Sequence, residues 1–136
     1  MLGNHDFFPS NQQDYSEPYV NELIQHYRQL FDGFLDNKAL RTFRKYGYYS
    51  MKINKVGKVK LPKNTYFIAL NTQVTDTINL YNYVHREDPG QHFAWLENEL
   101  TMIEKKKGIA FLGMHFAPMF MQHQWGQRYR ALMERF

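Results

Sequence analysis

The chain has 136 residues, with 17 Lys and Arg against 13 Asp and Glu and a formal net charge of +4. That bounds it to one modest domain, with a basic excess too small and scattered to argue for nucleic acid by itself. Hydrophobic residues make up 43% and charged ones 22%, and there is no Cys, which excludes a disordered tail, a disulfide scaffold and a thiolate metal site.

No apolar run approaches the roughly 20 residues of a membrane-spanning helix. The opening Met1-Leu2-Gly3-Asn4-His5-Asp6 lacks the basic and apolar segments of a signal peptide. No repeat or linker divides the chain, so residues 1–136 are read as one unit. Pro9, Ser10, Asn11, Gln12, Gln13, Asp14 and Ser16 predict a surface loop. A helix is predicted from Ser16 as N-cap, with Glu17 and Pro18 in its first turn. Val20, Leu23, Ile24, Tyr27, Leu30, Phe31 and Phe34 supply its buried face. A second short helix is predicted around Lys38 to Lys45, ending at Gly47.

Tyr48 to Ile53 and Val56 to Leu61 read as a hairpin turning near Lys55-Val56-Gly57, its lysines toward water. Tyr66-Phe67-Ile68-Ala69-Leu70 is a continuous apolar run, the mark of a strand buried on both faces. Asp88, Pro89 and Gln91 suit the N-terminus of a helix through a capping box. Phe93, Leu96, Leu100 and Ile103 line its buried face, Lys105, Lys106 and Lys107 suit its C-terminal end, and Gly108 stops it. Ile109-Ala110-Phe111-Leu112 then reads as a second fully buried strand leading to Gly113-Met114-His115. A strand, helix and strand in that order predict a parallel crossover and an α/β architecture.

Of the six histidines, His26 and His92 sit on predicted helices and His85 and His123 in polar loops, where none needs a functional role. His115 follows the carboxyl end of a predicted strand, where open α/β folds bind ligands. It could ligate a metal, move a proton, or simply hydrogen-bond a loop carbonyl. Gly3-Asn4-His5-Asp6 combines a close-approach glycine, a neutral oxygen donor and a titratable nitrogen, although an ordinary polar turn has the same composition.

Leu2-Gly3-Asn4-His5-Asp6 resembles the G-N-H-[DE] motif of calcineurin-like metallophosphoesterases, and further segments resemble their acid sphingomyelinase-like branch. These are Phe8-Pro9-Ser10-Asn11, Ala39-Leu40-Arg41-Thr42-Phe43 and Gly47-Tyr48-Tyr49-Ser50, then Leu70-Asn71-Thr72, Asp88-Pro89-Gly90-Gln91 and Trp95-Leu96. Gly113-Met114-His115-Phe116-Ala117-Pro118 stands where the family has G-H-x-P-P, with an additional Met114 and with Ala117 in place of proline. The segments follow the family's order along nearly the whole chain.

The resemblance implies a metallophosphoesterase β-sandwich flanked by helices, and two divalent metal ions, zinc by expectation, held by five motifs. Before G-N-H-D come D-x-H and G-D; after G-H-x-P-P comes G-H-x-H. Only the middle two are matched here, so the chain is expected to be a middle fragment of such a domain. The resemblance further implies that Asn4 and His115 are metal ligands, that His5 is the general acid, and that Asp6 orients the motif. The implied substrate is a phosphodiester, such as sphingomyelin or another phospholipid headgroup, and the implied setting of the full-length protein is lysosomal or secreted. A nucleotide-phosphate esterase and a non-catalytic remnant of the same scaffold are the alternatives.

Nucleic-acid binding, suggested by Lys52, Lys55, Lys58, Lys60 and Lys63 among Tyr48, Tyr49 and Tyr66, is not expected. A membrane-surface contact through Met119-Phe120-Met121 and Trp125 competes with simple packing of that loop on the domain.

Overall fold

The computed structural model describes residues 1–15 and 22–136. The start of the first helix expected at Ser16, with Glu17, Pro18 and Val20, lies outside the described residues. The helix itself, α1, runs Glu22–Leu30 and buries Ile24. Leu30 and Phe34, expected on the buried face, are exposed, because the helix ends at Leu30 and the chain turns through Gly33 in a left-handed conformation. Helix α2, Asn37–Tyr46, forms as predicted: the Asp36 carboxylate caps the Ala39 N–H at 2.8 Å, and Gly47 ends the helix at φ +77°.

A three-stranded sheet organises the molecule, in the order β1 (Tyr49–Lys52), β4 (Thr65–Ala69), β5 (Ile109–Gly113). β1 runs antiparallel to β4, and β4 runs parallel to β5. The hairpin prediction is therefore corrected. The first strand pairs with β4, and the hairpin is a short pair, β2 (Lys55–Val56) and β3 (Val59–Lys60), reversing through Gly57 at φ +57°.

Helix α3 (Tyr81–Val84) is a single turn, and α4 (His92–Lys105) carries the chain from β4 to β5, completing the predicted parallel crossover. Asp88 does cap α4, though not through a capping box. Gly90 (φ +59°) and Gln91 (φ +54°) are both left-handed, which separates Pro89 from the helix. The Asp88 carboxylate reaches past them to accept the N–H groups of Phe93 (2.9 Å) and Ala94 (2.8 Å). Helix α5 (His123–Arg135) is a further element, and His123 begins it rather than lying in a loop.

β4 explains why its sequence is apolar throughout. Tyr66, Ile68 and Leu70 face a core closed by α4 and α5, while Phe67 and Ala69 face a second core closed by α1 and α2. β5 is covered on one face only: Ala110 and Leu112 pack under α4 and α5, but Ile109 and Phe111 are exposed. The expectation of a fully buried second strand fails because the second core reaches β1 and β4 but not this outer strand. Met121 and Trp125 are buried in the first core, so half of that cluster packs on the domain, while Met119 and Phe120 stay exposed. The loop read as a surface feature is also tighter than expected, with Gln13 fully buried.

Candidate functional site

The carboxyl ends of the parallel strands β4 and β5 meet at one edge of the sheet, where the Leu70 N–H donates to the Gly113 carbonyl at 2.8 Å. Each strand then releases a segment that bears polar groups, Asn71-Thr72 after β4 and His115, between Met114 and Phe116, after β5. The N-terminal Gly3–Asp6 turn lies against the same edge. Within it the Gly3 N–H donates to the Asp6 carboxylate at 2.7 Å and the Asp6 N–H to the Gly3 carbonyl at 3.1 Å, closing the turn on itself.

The structure brings Asn4 and His115 together: His115 Nε2 lies 2.8 Å from Asn4 Oδ1, across 111 residues of sequence. The amide oxygen can only accept, so Nε2 carries the proton of this contact. Asn4 is oriented from its other end, where Nδ2 donates to Asn11 Oδ1 at 2.8 Å and the Asn4 carbonyl accepts the Asn11 N–H at 2.9 Å. Asn11 holds a left-handed conformation (φ +64°), which asparagine tolerates better than most residues. Gly3 supplies the floor of the imidazole: a Cβ there would stand 3.0 Å from three ring atoms of His115. His5 is exposed, its Nδ1 3.5 Å from Ser10 Oγ, and it does not join the Asn4–His115 contact.

Thr72 and Asn71 brace this edge from below. Thr72 Oγ1 accepts the N–H of Phe116, the residue after His115, at 2.9 Å. Asn71 Nδ2 donates to Gln13 Oε1 (2.9 Å) and to the Tyr46 carbonyl (2.8 Å), tying the loop after Asn11 to the end of α2. In the sequence these supports were visible only as polar residues just past a buried strand and as part of the Leu70-Asn71-Thr72 segment of the family resemblance; their contacts were not. Tyr15 is buried with its hydroxyl between Asn82 Oδ1 and the Val74 carbonyl, and burial raises its pKa, with the charge of Asp14 adding to the effect.

The remaining histidines lie elsewhere. His26 is exposed on α1. His92, the first residue of α4, is buried and stacked on Tyr48 with ring centroids 4.9 Å apart and planes 4° apart. Neither ring nitrogen has a partner among the described residues, and burial lowers its pKa to about 3.

As a donor set, Asn4 Oδ1 and His115 Nε2 are one neutral oxygen and one imidazole nitrogen already in contact. Two donors fall short of the about four that zinc takes, and among the described residues no group of three or more His, Asp or Glu converges to complete them. The pair fits part of a metal centre rather than a whole one.

No protein-family model matches the chain. Individual proteins do. The chain is 30% identical over 124 residues to the human acid sphingomyelinase-like phosphodiesterase 3b, a match covering 89% of the chain and 25% of that protein. It is 29% identical over 126 residues to the cattle cyclic GMP-AMP phosphodiesterase SMPDL3A, covering 92% of the chain and 26% of that protein. It is 26% identical over 143 aligned positions to sphingomyelin phosphodiesterase 1 of Caenorhabditis elegans, covering 99% of the chain and 24% of that protein. The chain thus spans about a quarter of the length of the curated relatives it matches.

Proposed function

Because the chain is a homologue of the acid sphingomyelinase-like phosphodiesterases, we infer that it contributes one wall of the catalytic centre of a metal-dependent phosphodiesterase. The fold that goes with this reading is part of a calcineurin-like β-sandwich with helical layers, in a lysosomal or secreted protein. The observation that supports it is the 2.8 Å approach of His115 Nε2 to Asn4 Oδ1. Asn and His are ordinary ligand types, and their donor atoms share one place at the carboxyl edge of the sheet.

In this reading Asn4 Oδ1 and His115 Nε2 would hold one of two divalent ions, zinc by preference, and the remaining donors are not among the described residues. Divalent ions, when bound, supply an activated water and neutralise charge on the phosphoryl oxygens. The chain's own residues do the rest. Asn11 fixes the Asn4 amide so that its oxygen faces His115, Gly3 and Thr72 set the position of the imidazole loop, and His115 would offer Nε2 as a ligand in the neutral tautomer that carries its proton on Nδ1. His5, solvent-facing and outside the ligand pair, protonates the leaving oxygen.

The relatives' names divide between sphingomyelin and a cyclic dinucleotide. The substrate class common to them is the phosphodiester, and a lipid headgroup and a nucleotide are the two specific readings.

The test replaces the matching segment of the human relative with this chain and compares two variants of the hybrid. His5→Ala is expected to keep its metal and lose about 10²–10⁴-fold in rate on a substrate with a poor leaving group, and much less on one releasing p-nitrophenolate. His115→Ala is expected to lose metal and to fall equally on both substrates. A metal-depleted His5→Ala hybrid, or a fully metallated His115→Ala one, overturns the assignment. Sphingomyelin and a cyclic dinucleotide offered to the same hybrid separate the two substrate readings.

A further inference from the structure

Charge is distributed unevenly along this chain. From Asn37 to Thr75 there is no Asp or Glu, while Lys38, Arg41, Arg44, Lys45 and five further lysines fall in that stretch. Those five, Lys52, Lys55, Lys58, Lys60 and Lys63, are all exposed on and around the β2–β3 hairpin.

Folding adds a second basic cluster to the first. Asn64, at the base of the hairpin, accepts from Lys52 Nζ through Oδ1 (3.1 Å) and donates through Nδ2 to the Lys106 carbonyl (2.9 Å). Its own carbonyl accepts the Ile109 N–H (3.1 Å). Exposed Lys105, Lys106 and Lys107 thereby lie at the same end of the sheet as Lys52, opposite His115, with Lys106 Nζ 3.2 Å from the Tyr66 hydroxyl. The acidic groups that come near are few. Glu104 is held by Arg135 through two contacts of 2.9 and 3.1 Å, and Glu134 is the residue before that arginine.

The hairpin has a second property that a solubility device does not need. Val56 and Val59 are cross-strand partners, so their side chains share one face of the ribbon, and they are 63% and 66% exposed. Lys55 and Lys60 are the next pair, on the other face. Ile109, on the edge strand at the same end, is exposed as well. A small apolar wedge edged by lysines suits a phospholipid surface, where apolar side chains enter the interface and lysines stretch toward phosphates. It suits single-stranded nucleic acid poorly, because stacking needs exposed aromatic faces. Tyr48, Tyr49 and Tyr66, the aromatic residues nearest in sequence, are buried.

We propose that this basic end of the sheet, formed by the β2–β3 hairpin and Lys105–Lys107, docks on anionic phospholipid membranes. The site is independent of the phosphodiesterase reading and faces away from Asn4 and His115.

Sedimentation of the 136-residue chain with vesicles tests it. Binding is expected to vesicles of phosphatidylcholine containing phosphatidylserine, to weaken with salt, and to be much weaker on pure phosphatidylcholine. Lys55→Glu, Lys58→Glu and Lys60→Glu together are expected to cost about a hundredfold or more in partitioning. Val56→Ser with Val59→Ser is expected to abolish the part of binding that survives high salt. Should the triple variant not fold by circular dichroism, Lys105→Glu with Lys107→Glu, on a separate element, carries the same expectation of loss. Equal binding to neutral vesicles, undiminished binding by the folded charge-reversal variants, or tighter binding to single-stranded RNA than to anionic vesicles overturns the proposal.

Discussion

His92 shows how much one buried side chain can do to the acid response of a small domain. It lies flat on Tyr48, fully buried, with both ring nitrogens unpartnered among the described residues, and burial lowers its pKa from 6.5 to about 3. The unfolded chain therefore binds a proton that the folded chain refuses between those two values, so stability rises with pH across that window. The contribution is fully present above about pH 6.5 and is lost progressively as pH falls toward 3, on the order of a few kcal/mol in all. Urea denaturation at a series of pH values is expected to show that slope. In His92→Phe, which keeps the stack but has no titrating nitrogen and no unpaired ring N–H, the slope should flatten and stability near neutral pH should hold or rise. An unchanged acid slope in His92→Phe would assign the effect to other groups.

Helix α4 is capped by a residue well outside itself. Two left-handed residues, Gly90 and Gln91, separate it from the Asp88-Pro89 dipeptide, yet the Asp88 carboxylate satisfies the N–H groups of both Phe93 and Ala94. Arg128 of α5 stands 3.6 Å from the same carboxylate, so this cap also joins two helices of the first core. Asp88→Ala is expected to cost about 1–2 kcal/mol, read as a lower urea midpoint with an unchanged slope. Asp88→Asn, which keeps one acceptor oxygen, should recover part of it. On the opposite side, Lys38 Nζ of α2 reaches Glu99 Oε1 of α4 at 2.8 Å. With Lys38 largely in water this contact orients the helices more than it stabilises them.

At the scale of the whole molecule, the sheet separates two ends with different chemistry. Asn4 and His115 meet at the carboxyl edge of the parallel pair, and the lysines gather at the amino edge. A polypeptide of these 136 residues is expected to bind no stoichiometric zinc by calorimetric titration and to leave bis-p-nitrophenyl phosphate intact. Two donors do not hold the ion against water, and no larger cluster of His, Asp or Glu converges among the described residues. Stoichiometric zinc that disappears in His115→Ala would contradict this and require donors beyond the pair.

Local patterning was legible in the sequence wherever a physical rule acts over a few residues. The apolar run Tyr66–Leu70 announced a strand covered on both faces, Gly47 announced the end of α2, and the strand–helix–strand order announced the parallel crossover. The motif Gly3-Asn4-His5-Asp6 and His115 were likewise readable as candidates, because residue types that carry chemistry are visible one at a time.

What only the tertiary structure decided were relations between distant residues. The pairing of β1 with β4 rather than with its nearest neighbour goes with the second core that Tyr49 and Met51 share with Phe67 and Ala69, not with the turn residues between the strands. Ile109-Ala110-Phe111-Leu112 has the composition of a central strand, yet β5 is exposed on one face, since burial depends on what the rest of the fold lays over it. The 2.8 Å contact between His115 and Asn4 has the same origin: 111 residues of chain separate them, and the sheet edge alone brings them to one place.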